Sequence, residues 1–262
     1  MTVTSQTEIL SLRPFLLVLG LSALAACAQT PRTDGIYDPI EPMNRGVHAV
    51  NKGLDTAIVR PVSKAYGTVV PNPLRQGVSN VADTLDLPGV VVNQVLQARI
   101  GEATTNTLRF AVNATAGIGG LFDVASVLGM PKTDADFGQT LAVWGVGEGP
   151  YVELPIEGPS TARDTVGIVV DFAMNPLNNV FDGNDADATL AIEGLSRLND
   201  RYRYSDTVNS ILYDSADSYA QLRLLYLQNR RHEIAKAKGA ADGDDGDFID
   251  PYEDDFIDPY AD

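Results

Sequence analysis

Few residues in this 262-residue chain could take part in covalent or metal chemistry. The histidines are His48 and His232, the single cysteine is Cys27, and no Gly-x-Ser-x-Gly sequence is present. Hydrolase triads and zinc sites need side chains that this inventory does not supply. The sequence therefore predicts no catalytic residue, no metal site and no cofactor, and a lone histidine on a helix is interpreted as structural.

Gly117, Gly119 and Gly120 form the one cluster that suggests a phosphate-binding loop. It follows an apparent helix rather than a strand, and no Lys-Ser or Lys-Thr pair comes after it, so nucleotide binding is not favoured. The net charge of −16 also argues against a nucleic-acid partner, whose phosphates require a basic face. Nothing in the sequence indicates an enzyme.

Cys27 has a different kind of chemistry available to it. An apolar run from Pro14 to Leu24, preceded by Arg13, is typical of an export signal, and Leu24-Ala25-Ala26-Cys27 matches a bacterial lipobox. We expect a signal peptide at 1–26 and a diacylglycerol anchor on Cys27. The alternative is an ordinary small residue near a cleavage site, but an unpaired thiol would be a liability in an oxidising periplasm.

Composition divides the rest of the chain into three predicted segments: a lipidated linker at 27–37, a folded domain at 38–238 and an acidic tail at 239–262. The last 22 residues contain ten acidic and no basic residues, which leaves a net charge of −6 for the remainder. The tail repeats the sequence DFIDPY at 247–252 and 255–260. We interpret it as disordered; a duplicated binding motif and a loose calcium site are the alternatives, although its acidic spacing does not fit an EF-hand.

Helical periodicity dominates the domain and predicts an all-α fold with long irregular connections. Pro88 is expected in the first turn of a helix that pairs with a second helix starting near Gly101, and a long helix is expected from Val208. Beyond residue 27, no run of apolar residues is long enough to span a bilayer as one helix. Shorter helices are predicted at 42–58, 73–84, 120–129, 161–174 and 187–199, and looped or extended chain at 137–159.

Seven segments in a fixed order and spacing make the chain resemble the MlaA (VacJ) lipoproteins, which maintain outer-membrane lipid asymmetry. The segments are DPIEPMNR at 38–45, VRPV at 59–62, VNQVLQ at 92–97, NATAGIGGLFD at 113–123, DFGQTL at 136–141, GVGEGPY at 145–151 and GPSTARD at 158–164. The resemblance covers roughly residues 38–235. Ala98 departs from it, because the family has glycine there, so the turn between the paired helices is in doubt.

The resemblance implies a ring of helices that lies in the periplasmic side of the outer membrane around an amphipathic channel. It also implies an anchored protein that removes mislocalised phospholipids from the outer leaflet, associates with a trimeric porin and passes lipid to a soluble periplasmic carrier. The alternative is an adaptor lipoprotein that scaffolds an envelope complex without conducting lipid. Candidate channel-lining residues are Asn93, Asn106, Thr107, Arg109, Asn113, Gly117, Gly119 and Gly120, each of which could instead serve in capping, packing or turns.

Overall fold

The computed structural model describes residues 36–175 and 184–239. The predicted signal peptide, Cys27 and most of the linker lie outside the described residues, as does the acidic tail beyond Gly239. Within the described part, almost all regular structure is helical, and the strands are two short segments of one hairpin. The all-α prediction is confirmed.

The first half of the domain is a run of helices joined by short connections. Pro42, Pro61 and Pro73 lie in the first turns of three of them, where a missing N–H costs nothing. A π-helical turn at Asp55–Val59 joins the first helix to the second. The helices are α1 (Glu41–Leu54), α2 (Arg60–Val69), α3 (Asn72–Leu96) and α4 (Ile100–Thr115).

The second half mixes short helices with the hairpin. Side chains that accept a hydrogen bond from the first helical turn begin several of its helices, including Asp136 from Gln139 N at 2.9 Å and Asp217 from Ala220 N at 3.1 Å. The elements are α5 (Val124–Val127), α6 (Phe137–Val143), β1 (Tyr151–Leu154), β2 (Gly158–Thr161), α7 (Ala162–Met174), α8 (Asn184–Arg203), α9 (Ser205–Asn209), a π-helical turn (Ser210–Asp214) and α10 (Ser218–Ala237).

Contacts between these elements close into a ring. Helix α1 contacts β1, the hairpin contacts α10, α10 contacts α6, and α6 contacts α3. Helix α3 then contacts α8, α8 contacts α2, and α2 leads back to α1 through the π-helical turn. Helix α4 lies against α3 and α7 against α6. The expected ring of helices is thus present, with the antiparallel hairpin as one segment of its wall.

The paired helices form as expected, but Pro88 does not begin one. It lies inside the 25-residue helix α3, so the predicted helix at 73–84 and the one after Pro88 are a single element. The three-residue connection to α4 keeps a left-handed turn even without glycine, because Ala98 adopts φ 60°. The prediction of two separate helices was wrong; packing against α4 and α8 on either side compensates for the backbone hydrogen bond that proline cannot make.

Three other predictions also need correction. The segment 137–159 was expected to be looped or extended, yet Phe137–Val143 is a helix whose residues from Gly138 to Ala142 are all buried. A helix buried on all sides shows no amphipathic period, which explains the error. The single long helix from Val208 is interrupted by the second π-helical turn and restarts at Ser218, where Asp217 caps α10. The predicted helix at 120–129 shrinks to Val124–Val127.

Candidate functional site

The distribution of polarity in this domain is the reverse of that in a water-soluble protein. Among the described residues, buried polar and charged side chains outnumber buried hydrophobic ones, and Asn44, Gln94 and Asn106 are completely buried. Large apolar side chains instead cover the outside, as Val127 at 85% exposure and Phe172 at 75% illustrate. Soluble proteins rarely expose such continuous apolar surface. The outer face is therefore built for an apolar environment.

The apolar outer face follows from the helical spacing. In α4, Ile100 and Leu108 are exposed, while Ala103, Asn106 and Arg109 are buried. In α7, Val166 and Val169 are exposed, while Arg163 and Asp164 are buried. No helix in residues 36–175 and 184–239 is long and apolar enough to cross a membrane.

An ionic cluster, formed by Asp136, Arg163, Asp164, Tyr226 and Arg230, joins α6, α7 and α10. Arg230 Nη2 lies 2.7 Å from Asp136 Oδ1 and 3.0 Å from Asp164 Oδ1, and Arg163 Nε lies 3.0 Å from the same Asp164 oxygen. Tyr226 donates its hydroxyl to Asp164 Oδ2 at 2.9 Å. Burial acts to raise the pKa of Asp164, but Arg230 and Arg163 outweigh it and hold the pKa at about 2. Each charged group of this cluster has a partner of opposite charge, although Arg230 Nε makes no hydrogen bond, and the cluster acts as a structural tie.

Two of the predicted lining residues, Arg109 and Asn113, meet at Asp123. Arg109 Nη2 lies 3.2 Å from Asp123 Oδ2, and Asn113 Nδ2 donates to Asp123 Oδ1 at 3.0 Å. Burial acts to raise the pKa of Asp123, but hydrogen bonds from Ser126 and Asn113 and the charge of Arg109 hold it at about 2. Both side chains reach one edge of a narrow cavity, and their bonds also fix the loop after α4.

The other polar candidates lie on α3 and nearer to the start of α4. Asn93 donates to Asp171 Oδ1 at 2.7 Å and accepts from the Thr140 hydroxyl at 2.9 Å. Asn106 donates to the carbonyl oxygen of Thr133 at 2.8 Å. Thr107 is exposed, and its hydroxyl donates to the carbonyl of Ala103 at 2.7 Å. The two buried amides hold α3 and α4 to their neighbours.

The glycine candidates end α4 as expected. Gly119 and Gly120 have φ of +67° and +87°, a conformation that side chains disfavour. A Cβ atom on Gly120 would lie 2.7 Å from the Thr84 hydroxyl oxygen, and one on Gly117 would lie 2.2 Å from the Phe122 carbonyl oxygen. Gly119 faces open space. A channel-lining role for the eight candidates stays a prediction, and their contacts show how tightly this corner is packed.

Sequence reasoning missed a set of charged residues that face one another between α3 and α8. We call it the charged face; it consists of Asp83, Asp86, Lys132, Glu193, Arg197 and Asp200. Lys132 Nζ lies 3.0 Å from Asp83 Oδ1, and Arg197 Nη1 lies 2.9 Å from Glu157 Oε2 in the hairpin turn. The Arg197 pair connects α8 with the hairpin. A signal was available, because Asp83 and Asp86 lie one helical turn apart among otherwise small or apolar positions of α3.

The electrostatics of the charged face differ from those of the ionic cluster. Burial raises the pKa of Asp86 to about 6, and repulsion from Glu193 and Asp83 adds to the effect. Water nevertheless reaches the Asp86 side chain, which is exposed. A carboxyl group that is wetted yet surrounded by protein is typical of a concave surface. Burial and the charge of Asp83 likewise raise the pKa of Asp200.

An apolar exterior around a polar interior and a charged concave face define a helical protein adapted to a lipid surface. Its sequence relationships agree. The chain belongs to the MlaA lipoprotein family, whose model matches residues 36–233. The family predicted from the sequence motifs is therefore confirmed.

Individual relatives cover most of the chain. The Intermembrane phospholipid transport system lipoprotein MlaA of Escherichia coli (strain K12) is 35% identical over 230 residues, which are 86% of this chain and 89% of that protein. An uncharacterized protein of Rickettsia felis is 38% identical over 189 residues, which are 72% of this chain and 74% of that protein.

A solved structure supports the fold. It comes from work described as "Structural basis for maintenance of bacterial outer membrane lipid asymmetry", and it matches with a TM-score of 0.65 and 32% sequence identity. The match covers 75% of this chain and 98% of the solved one. It confirms the predicted helical ring.

Proposed function

We propose that this protein removes mislocalised phospholipids from the outer leaflet of the outer membrane and passes them to a periplasmic carrier. Phospholipid transport in the maintenance of lipid asymmetry was predicted from the sequence motifs, and the family relationship confirms it. The finer steps proposed here are the route of the lipid, the anchor and the partners.

The inverted polarity of the domain is the observation that carries the proposal. In water, exposed side chains such as Val69, Val127 and Phe172 would be unfavourable, by about 25 cal/mol for each square ångström of apolar surface. In a lipid leaflet the same side chains are solvated by acyl chains. Helices that do not span the membrane then lie in its plane, and their polar sides face inward.

The charged face is the proposed path of the lipid headgroup. Transfer of an unpaired charge through the apolar leaflet is unfavourable by several kcal/mol, and a wetted surface with both signs of charge lowers that barrier. Lys132 and Arg197 offer cations to a phosphate, while Asp86 and Glu193 offer carboxylates to an ammonium group. Arg109 and Asn113 contribute at the narrow end, where they line a cavity together with Asp83 and Lys132.

The anchor and the partners complete the proposal. A diacylglycerol group on Cys27 would hold the protein on the periplasmic side of the outer membrane, since two acyl chains suffice for stable anchoring. We also propose, from the family resemblance, association with a trimeric porin and transfer to a soluble carrier. No bond of the phospholipid is broken in this scheme, so the protein acts as a conduit.

Phospholipid exposure at the cell surface tests the proposal. A strain deleted for the protein should expose more phospholipid in its outer leaflet, and the wild-type gene should restore asymmetry. Cys27→Ser should fail to restore it and should release the protein from the membrane. Ala28→Ser is the matched control, because it introduces the same hydroxyl one residue away and keeps the thiol. Unchanged exposure in the deletion strain would favour the adaptor alternative.

A further inference from the structure

A second polar cavity, of about 260 Å³, lies where the end of α8 meets the start of α3. Its lining comes from both helices and consists of Asn72, Arg75, Gln76, Asn199, Tyr202 and Arg203. Two arginines and three amides converge there, and none of these lining residues is a carboxylate. A water molecule occupies about 30 Å³ in the liquid, so the cavity has room for a group several times larger. We call it the arginine cavity.

Arg75 is a buried part of the cavity wall, and its guanidinium group is held in place by neighbouring residues. Its side chain is only 8% exposed. Nε donates to the Val70 carbonyl at 3.0 Å, Nη1 donates to Asn199 Oδ1 at 2.7 Å, and the guanidinium stacks 4.8 Å from the centre of the Tyr202 ring. These contacts fix the guanidinium plane, while Nη2 makes no hydrogen bond within the described part of the chain. A fixed guanidinium with a spare donor is suited to an oxyanion.

The surroundings add to the positive potential. Arg203 is exposed at the rim and makes no ion pair among the described residues. Helix α3 is 25 residues long, has no acidic residue in its first turn and has no side-chain cap. Its N-terminal dipole therefore stays uncompensated beside Asn72 and Arg75. Two cations and a helix N-terminus all favour a negative charge in the same cavity.

Exposed apolar side chains come from the segments of the chain next to the cavity-lining residues. Val69 at the end of α2 is 79% exposed, and Leu74 in the first turn of α3 is 60% exposed. Helix α2 is held directly against the cavity wall, because a Cβ atom on Gly67 would lie 2.2 Å from the Tyr202 ring. A phosphodiester with acyl chains would fit this arrangement. Its anion would face the arginines, and its acyl chains would contact Val69 and Leu74.

We propose that the arginine cavity binds the phosphate of a phospholipid headgroup at the edge of the helical ring, outside the charged face. This inference rests on the proposed function and gives the ring a docking position for its cargo.

Calorimetric titration of the purified full-length protein, in a phosphate-free nonionic detergent, tests the site. The probes are dihexanoylphosphatidylglycerol, glycerol phosphate, inorganic phosphate and dihexanoylglycerol, which lacks the phosphate. We expect the phospholipid to bind at least about tenfold more tightly than the other three, because only it satisfies both the arginines and the apolar flank. A charge-assisted hydrogen bond has the strength for a change of that size.

Variants separate the site from general charge attraction. Arg203→Gln should weaken phospholipid binding about tenfold. Lys64→Gln, which removes an exposed cation from α2 outside the cavity, should change it less than about twofold. Gln76→Glu is the second cavity variant and should repel the phosphate while leaving the arginines in place. Melting temperatures are measured alongside, because Arg203 also lies in the last turn of α8.

Several outcomes would overturn the inference. Equal binding by Arg203→Gln and Lys64→Gln would leave no specific site, and inorganic phosphate that bound as tightly as the phospholipid would make the cavity a free-anion site. The cell assay distinguishes the two levels of proposal. If deletion of the protein exposes surface phospholipid but Arg203→Gln binds lipid normally, only the cavity proposal fails. If deletion changes nothing, the transport proposal fails, whatever the calorimetry shows.

Discussion

The ionic cluster and the charged face contain the same kinds of side chain, yet the pKa of Asp164 in the first and that of Asp86 in the second are shifted in opposite directions. Asp164 in the ionic cluster is 4% exposed and accepts hydrogen bonds from arginine, tyrosine and threonine side chains, which hold its pKa at about 2. Asp86 on the charged face has no such partners, and its pKa is raised to about 6. The two groups lie on either side of their ordinary value.

This difference separates structure from function in the ring. Charges that hold helices together are paired and buried, because an unpaired buried charge is strongly unfavourable. Charges that meet a passing headgroup must stay accessible to water, and Asp86 among them keeps the repulsive neighbours Glu193 and Asp83. A polar interior thus contains both ties and a path, and Asp164 and Asp86 are examples of the two.

The largest effect on stability is expected in the ionic cluster. Asp164→Asn should destabilise the protein by about 3–5 kcal/mol at pH 7, because it leaves the buried Arg163 without its counter-charge and removes one of the carboxylates that pair with Arg230. The pKa of Asp164 is lowered in the folded protein. Its carboxylate therefore contributes to the free energy of unfolding above the unfolded pKa near 3.8, and this contribution is lost as the pH falls towards 2. Urea unfolding in micelles at pH 7 measures the loss. Asp187→Asn, at an exposed position of α8, should have almost no effect.

The second-largest loss of stability is expected where the backbones of α6 and α7 come into close contact. A Cβ atom on Gly167 of α7 would lie 2.5 Å from the backbone nitrogen of Gly138 in α6, so Gly167→Ala should force these helices apart. We expect a loss of about 1–3 kcal/mol in the free energy of unfolding. Gly194→Ala is the matched control in α8, where a methyl group meets open space. It should be neutral or slightly stabilising, and an equal loss in both variants would contradict the contact.

The smallest effect is expected on the charged face, and its sign is opposite. Asp86→Asn should stabilise the protein at pH 7.5, where the wild-type carboxylate is partly desolvated and is repelled by Glu193 and Asp83. Because water screens an exposed group, the gain should be about 1 kcal/mol or less. The folded pKa is raised, so the wild type recovers this stability as the pH falls through about 6. Melting curves are recorded from pH 7.5 to 4, with Asp206→Asn as the control. The difference in melting temperature between Asp86→Asn and the wild type should decrease as the pH falls.

The fold could be predicted from the sequence where local patterns and tertiary packing agree. The helix predicted at 42–58 corresponds to α1 and the π-helical turn after it, and the apolar spacing in 101–114 indicated α4. The helix at Arg60–Val69 was not predicted. The fold could not be predicted at Pro88, where tertiary contacts keep α3 continuous, or in 137–143, where burial on every side removes the helical period. Asp136 and Gln139 are spaced as in a capping box, so the start of α6 did leave a signal.

The site was harder to predict, because periodicity does not reveal which side of an amphipathic helix faces inward. Asn93, Asn106, Arg109 and Asn113 were predicted to line a channel. Each is buried in a hydrogen-bonded position, and the lining role stays a prediction. Asp83 and Asp86 left a signal in their spacing, but Glu193 resembles an ordinary solvated residue in the sequence. Only the contact between α3 and α8 brings them together.

The inverted polarity described above also has a calorimetric consequence. Unfolding of this domain uncovers many amide, hydroxyl and charged groups but little additional apolar surface, because so much of that surface is already outside. Hydration of apolar groups raises the heat capacity of the unfolded chain, and hydration of polar groups lowers it. The heat-capacity increment for unfolding should therefore be small for a chain of this length, and the free energy of unfolding should vary almost linearly with temperature.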